Sequence, residues 1–186
     1  PRRQKLCVIN LEHLTEKTSD DLRKAFIKCA AVETCFLWHK YKKDKNGGTE
    51  AQQKLESGTI PEDFKRQMFY TFGDFRDLCL DTDISSKRDI NLRVGKVKTN
   101  FFITFLETTH KTKNTKRQDW WETNGPEIWE GMLCALSYNT NEKTFKKEIH
   151  TNLIDAKNNN TYANVKFSGN QTTLEEFAKR PQFLRW

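Results

Sequence analysis

Cys35 and His39 stand four residues apart, so on a helix both would face one site. A thiol beside an imidazole can act as a nucleophile or bind a metal. Catalysis also needs an orienting third group, and a metal needs more ligands; the sequence supplies neither near this pair. His13, His110 and His150 are isolated in polar contexts and read as surface residues. Asp74, Asp77, Asp81 and Asp83 form an acidic row. Their spacing fits no EF-hand, which also needs a central glycine and a closing glutamate. They read as a solvated face or as partners in internal salt bridges. No G-x-S-x-G, H-E-x-x-H, Walker or dinucleotide fingerprint is present. Gly73-Asp74-Phe75 lacks the companion motifs of a kinase. An enzyme is therefore not expected, and neither is a cofactor.

The other chemistry-bearing residues are cysteines and lysines. Cys7, Cys29, Cys35, Cys79 and Cys134 are odd in number and widely spaced, with no C-x-x-C. Cys29 and Cys35 lie about 120° apart around a helix, so each should reach another segment. Two readings stay open: cross-linked cysteines of an extracellular piece with one orphan, or five reduced, buried thiols of a cytosolic protein. Net charge is +7. Basic residues cluster at Arg2, Arg3 and Lys5, at Lys40, Lys42, Lys43 and Lys45, at Lys111, Lys113, Lys116 and Arg117, and at Lys143, Lys146 and Lys147. Acids are interspersed and no nucleic-acid signature appears, so a solvated surface is the first reading and a weak polyanion site the second. Asn159 and Asn170 each begin an N-x-T sequon.

The elements that would position these residues are mostly helical. Hydrophobic content is 35% against 31% charged, low for a domain of 186 residues. No apolar run reaches the roughly 18–20 residues that span a bilayer. Residues 1–17 read as extended. Thr18, Ser19 and Asp20 can cap a helix carrying Leu22, Ala25, Phe26, Cys29, Val32 and Phe36 to about Tyr41. Asn46-Gly47-Gly48 stops it. Gly58-Thr59-Ile60-Pro61 opens a second helix, with Pro61 at its first position. There Phe64, Met68, Phe72, Phe75 and Cys79 are spaced at four, four, three and four. Residues 84–93 read as a loop, and Val94, Val97, Phe101 and Phe105 as a shorter helix. Residues 116–136 hold three of the five tryptophans, with Trp121, Ile128, Trp129, Met132 and Leu133 on a broad apolar face. Gly125-Pro126 predicts a kink, or two helices meeting. An Asn/Thr-rich loop follows, then a modest helix through Phe145, Ile149 and Leu153. Ala163, Val165 and Phe167 alternate, giving at most a short β element near 162–168. Thr172-Thr173-Leu174-Glu175-Glu176 offers capping boxes before a short helix, which Pro181 ends.

Five blocks resemble one known family. Pro1-Arg2-Arg3-Gln4-Lys5-Leu6-Cys7 resembles the opening motif of Duffy-binding-like domains. Phe26-Ile27-Lys28-Cys29-Ala30-Ala31-Val32-Glu33-Thr34 and Phe36-Leu37-Trp38-His39-Lys40-Tyr41 resemble their first long helix. Gly58-Thr59-Ile60-Pro61-Glu62-Asp63-Phe64 through Asp77 is the most specific block. Asp119-Trp120-Trp121, Ile128-Trp129-Glu130-Gly131-Met132-Leu133-Cys134 and Pro181-Gln182-Phe183-Leu184-Arg185-Trp186 complete the series in the family's order. The chain is most similar to the variant erythrocyte membrane adhesins of the malaria parasite Plasmodium falciparum.

The resemblance implies a mainly α, disulfide-linked helical bundle with long loops. It implies that residues 1–186 are a partial domain lacking its C-terminal subdomain. It implies adhesion to a host receptor from the extracellular face of the infected erythrocyte, with any membrane anchor outside this stretch. The expected partner is a host cell-surface glycoprotein; a sulfated glycosaminoglycan or an immunoglobulin is the alternative. Phe64, Met68, Phe72, Trp121 and Trp129 belong to the shared scaffold and select no receptor. Lys42, Lys43, Lys45, Lys111, Lys113, Lys116 and Arg117 are the candidates for a polyanion. All five cysteines are disulfide candidates without an assigned pairing. Variable loops near 44–57, 84–95, 107–116 and 137–172 are where binding differences are expected.

Met68 sits on the face shared by Phe64, Phe72 and Phe75. Met68→Asp should bury an unpaired charge at a cost of several kcal/mol, a large part of a domain's stability. The expected outcome is loss of the cooperative thermal transition in circular dichroism; an unchanged melting temperature would place the helix face elsewhere.

Overall fold

The computed structural model describes residues 6–14, 18–45, 48–82, 110–166 and 171–185, with 110–115 as backbone only. The expected loop at 84–93, the helix through Val94 and Phe105, Asp83 and the Asn170 sequon lie outside the described residues. The fold is mainly helical. In chain order come α1 (Ile9–Glu12), α2 (Ser19–Asp44), α3 (Thr49–Glu56), α4 (Glu62–Leu80) and α5 (His110–Leu136). A hairpin of β1 (Tyr138–Asn139) and β2 (Thr144–Phe145) follows, then α6 (Lys147–Ile154) and α7 (Leu174–Lys179). Short 3-10 turns occupy Ala156–Asn158 and Gln182–Leu184.

Helix α2 begins where its sequence provides a cap: the Thr18 hydroxyl accepts from the Asp21 backbone N–H. Its buried stripe is Leu22, Ala25, Phe26, Cys29, Ala30, Thr34 and Trp38. Phe36, expected on that stripe, is 64% exposed. The run of three- and four-residue steps passes through Thr34 to Trp38, which leaves Phe36 on the outer face. The 44–57 stretch is not a loop throughout, because Thr49–Glu56 is helical and buries Ala51 and Leu55. Gly48, at φ +67°, supplies the left-handed turn before it. Pro61 caps α4 from one position before the helix. Phe64, Met68, Phe72, Phe75 and Cys79 are all fully buried, as their spacing predicts.

Helix α5 is continuous through Pro126, which corrects the two-helix alternative. Proline removes one backbone donor, but its neighbours hold the turn. The Asn124 side-chain amide donates to the Trp120 carbonyl (2.7 Å), and the Thr123 hydroxyl donates to the Asp119 carbonyl (2.8 Å). Trp121, Ile128 and Trp129 are buried on either side.

Helices α2, α4 and α5 form the core. Trp120 Nε1 donates to Ser19 Oγ (2.9 Å), Arg23 donates to Glu127 (3.1 Å), and Ile27 fills the space over Gly131, so α2 and α5 run in the same direction. Helix α4 runs against both: Phe75 meets Phe26, Phe64 meets Trp38, and Phe72 meets Trp121 and Trp129. The anticipated β element near 162–168 is not a strand among the described residues; only an isolated bridge, Lys166 to Thr173, falls there. The sheet lies instead at 138–145, with Tyr138 opposite Phe145. Phe145 is thus a strand residue and not part of the following helix.

Of the acidic row, Asp77 is an internal salt-bridge partner. Arg185, 5% exposed, places Nη2 2.7 Å from Asp77 Oδ1 and also donates to the carbonyls of Ala178 and Arg180. The guanidinium lies against Gly73, where a Cβ would come within 2.6 Å of Nη1. The Tyr70 hydroxyl donates to the Arg185 carbonyl. Arg185 of the last sequence motif is therefore a clamp on α4.

Arg185→Met should destabilise by about 3–5 kcal/mol, because it strands a buried carboxylate without its guanidinium. Combining it with Asp77→Leu should recover a substantial part of that loss. Urea denaturation of Arg185→Met, Asp77→Leu and the double variant measures this; losses of the two single variants that simply add in the double would show that the pair is not coupled.

Candidate functional site

A cleft of about 710 Å³ lies between the C-terminal half of α2, α3, the hairpin and α6. Trp38 and Leu136 stand at its base, and Tyr138 and Phe145, 43% and 48% exposed, are cross-strand partners at its wall. Pairing fixes both rings on one face of the hairpin. The strand that carries Tyr138 is tied back to α2 by a 2.7 Å hydrogen bond between Thr140 Oγ1 and His39 Nε2. Burial and nearby Lys42 hold the His39 pKa below its ordinary value.

Lys42 enters the cleft from α2. Its ammonium lies 5.6 Å from the Trp38 ring centre and donates to Gln52 Oε1 at 3.3 Å. Gln52 passes the contact on to Glu56 (3.2 Å). Burial lowers the Lys42 pKa, and among the described residues it makes no ion pair. Ser137 follows α5 directly. It is 1% exposed, and its Oγ has no hydrogen-bond partner among the described residues. On the opposite side the first turn of α6 lines the cleft with Lys147, Glu148 and Ile149. Its N-cap, Lys146, makes no side-chain capping bond. The leading N–H groups of a helix have no acceptor within it and are free to serve a ligand.

The sequence-predicted residues divide sharply. Phe64, Met68, Phe72, Trp121 and Trp129 are core. Of the polyanion candidates, Lys42 lines the cleft, Lys43 and Lys116 are exposed, and Lys45 pairs with Asp63 at 3.6 Å. The side chains of Lys111 and Lys113 are outside the described residues. Arg117 is 4% exposed and corrects the expectation of a surface cation: it sits on the inner face of α5, where Cys79 Sγ approaches its carbonyl at 3.9 Å. Lys42 of one lysine cluster and Lys146 and Lys147 of another line the same cleft, but Glu56 and Glu148 stand among them.

Cys35 and His39 share a helix face but no hydrogen bond joins them. Burial raises the Cys35 pKa, the opposite of what a thiolate nucleophile needs. No S–S bond joins the five cysteines in this structure. Aromatic contacts join α2, α4 and α5. Cys29 and Cys79 are buried and Cys134 lies on the outer face of α5. Burial pushes Cys29 up to about 11, opposed by the backbone of Leu11 and Asn10, with nearby Cys7 adding to the rise. Among the described residues, no group of three or more His, Cys, Asp or Glu side chains could hold a metal.

The family model of the Duffy binding domain matches residues 1–185. The chain belongs to the Duffy binding domain family. Over 185 residues it is 23% identical to the Duffy receptor of Plasmodium vivax (strain Salvador I). That match takes in 100% of this chain and 14% of the relative, so the chain spans about a seventh of the relative's length. No solved structure matches the chain. Domains of this family are receptor-binding modules, and the likeness runs through the scaffold helices. Ser137, the hairpin and the α6 terminus escaped the sequence reading. Tyr138 and Phe145 around a polar Asn/Thr turn were the available hairpin signal.

The thiols give a direct check on this geometry. In reduced protein at pH 8, a raised pKa keeps Cys29 and Cys79 protonated and burial shields them. Iodoacetamide followed by peptide mass mapping should modify Cys134 first, and Cys29 and Cys79 only on unfolding. Early modification of Cys79 would contradict its position under α5.

Proposed function

We propose that this Duffy binding domain is a host-receptor adhesion module of a parasite surface protein, of the kind displayed on infected erythrocytes and mediating cytoadherence. The observation that carries this reading is the family match across residues 1–185. The Plasmodium relative supports the parasite origin, and the ordered motif series, which resembles the variant adhesins of Plasmodium falciparum, supports the narrower placement. The partner is a host cell-surface glycoprotein, contacted through the open cleft and the hairpin beside it. A protein ligand suits a cleft with aromatic walls and mixed charge. No described helix is long and apolar enough to cross a membrane, so on this reading an anchor is supplied by other parts of the protein.

As an extracellular module the domain would be exposed to oxidising conditions, in which Cys7 and Cys29 are the pair close enough to influence each other's ionisation. The remaining cysteines would be joined across elements or to segments beyond this stretch.

A panel of immobilised endothelial receptors and immunoglobulins, probed with this chain, tests the adhesion reading. Capture of the chain by a protein receptor is expected, with affinity only weakly altered between low and physiological salt. Retention on sulfated glycosaminoglycan alone, falling steeply with salt as counterion release requires, would overturn it in favour of a polyanion binder.

A further inference from the structure

We propose that the cleft between α2, the hairpin and α6 is a seat for one carboxylate, an acidic side chain of a protein partner flanked by an apolar or aromatic residue. The inference rests on the adhesion reading and locates its contact. Two independent features converge on the same volume. The first turn of α6 presents the backbone N–H groups of Lys147, Glu148 and Ile149 with no side-chain cap over them. This end of a helix carries a partial positive charge and unsatisfied donors, and it favours an anion. Ser137 Oγ, buried and without a partner, lines the same cleft. A buried hydroxyl left unsatisfied is costly, and a ligand oxygen would remove that cost. Lys42, half-buried and bonded only to a neutral amide, adds a cation.

Charge balance selects a single carboxylate over a polyanion. Lys42, Lys146 and Lys147 line the cleft, but so do Glu56 and Glu148, and Lys146 is ion-paired with Glu142. The cavity therefore carries little excess positive charge, and a row of sulfates would meet the glutamates. The attraction is local, at the α6 turn and Ser137. Around it stand Trp38, Tyr138, Phe145 and Ile149, which would pack the flanking apolar side chain. That combination fits a short acidic–aromatic stretch of a folded protein.

The test uses the isotope-labelled 186-residue chain and a blocked probe peptide, acetyl-Gly-Phe-Glu-Gly-amide, followed by amide chemical shifts. The probe should shift the signals of Ser137 and of Lys147 to Ile149, and its glutamine counterpart should bind about tenfold more weakly. Ser137→Ala should weaken the probe by a similar factor. Lys147→Pro removes one backbone donor at a position where proline is tolerated, and should weaken the probe more than Lys147→Met, which keeps that donor. Lys43→Met, outside the cleft, should leave affinity unchanged. Thermal melts confirm that each variant folds. Equal binding of the glutamate and glutamine peptides, no shift at the α6 turn, or tighter occupancy of these residues by a sulfated heparin disaccharide would each overturn the proposal. Receptor capture that persists in Ser137→Ala would overturn the cleft assignment while leaving the adhesion reading standing. Peptide binding without receptor capture would do the reverse.

Discussion

Phe72 touches Trp121, Trp129 and Tyr162, with ring centres 5.1 to 6.0 Å apart, and the architecture depends on that contact. Hydrophobic residues make up only 35% of the chain. The domain must therefore draw its stability from a few large side chains, each burying roughly 150–250 Å². Helix α4 supplies them in register. Phe64 engages Trp38 and Tyr41 of α2, Phe69 engages Trp129 and Phe177, and Phe75 engages Phe26. One helix thus ties both other long helices and α7, which is why it can be almost wholly buried in so charged a protein. The edge-on geometries recur because ring faces repel one another and attract ring edges.

Polar groups finish what the aromatic core begins. Asn160 is 1% exposed; its amide donates to the carbonyls of Gly58 (2.7 Å) and Leu153 (3.1 Å), and its own carbonyl accepts from Trp129 Nε1 (2.7 Å). A single residue thereby joins three elements: its side chain holds the link before α4 and the end of α6, and its backbone carbonyl holds the centre of α5. At the other end of α4 the Asp77–Arg185 pair performs the same task for the C-terminal residues. Such buried polar contacts contribute little net energy, but any alternative arrangement leaves donors and acceptors stranded. They therefore fix where the irregular segments lie.

These two layers differ in how far they could be read from sequence. The α4 face was legible because five apolar residues repeat at helical spacing, and burial follows from that period alone. The Thr18 cap and the Thr173 capping box were legible for the same reason: their chemistry is local. Phe36 and the 49–56 helix were misread because tertiary packing decided both of them. Trp38 took the position Phe36 would have filled, and α3 exists largely because Ala51 and Leu55 find a partner surface near α6. Arg117 and Lys116 are adjacent and chemically alike, yet one is buried and one exposed. Composition counts them together, and only the rotation of α5 separates them. The cleft was illegible for a further reason: its donors are backbone groups and one serine, which carry no distinctive sequence.

The division of labour has a consequence for recognition. The large apolar motif residues that carry the family likeness are spent on the core: Phe64, Met68, Phe72, Phe75, Trp121, Ile128, Trp129, Met132 and Leu133 are buried. The cleft is walled mainly by the hairpin and the α6 turn, which lie outside those blocks, with Trp38, His39 and Lys42 of α2 completing it. The hairpin is held to α2 by His39 and Thr140, both outside the buried core. Changes in hairpin length or in the residues at 138–149 would therefore reshape the binding wall without disturbing Phe72 and its partners. A scaffold of this kind can keep one fold while presenting different surfaces, because the interactions that set the fold and those that would meet a receptor fall on separate side chains.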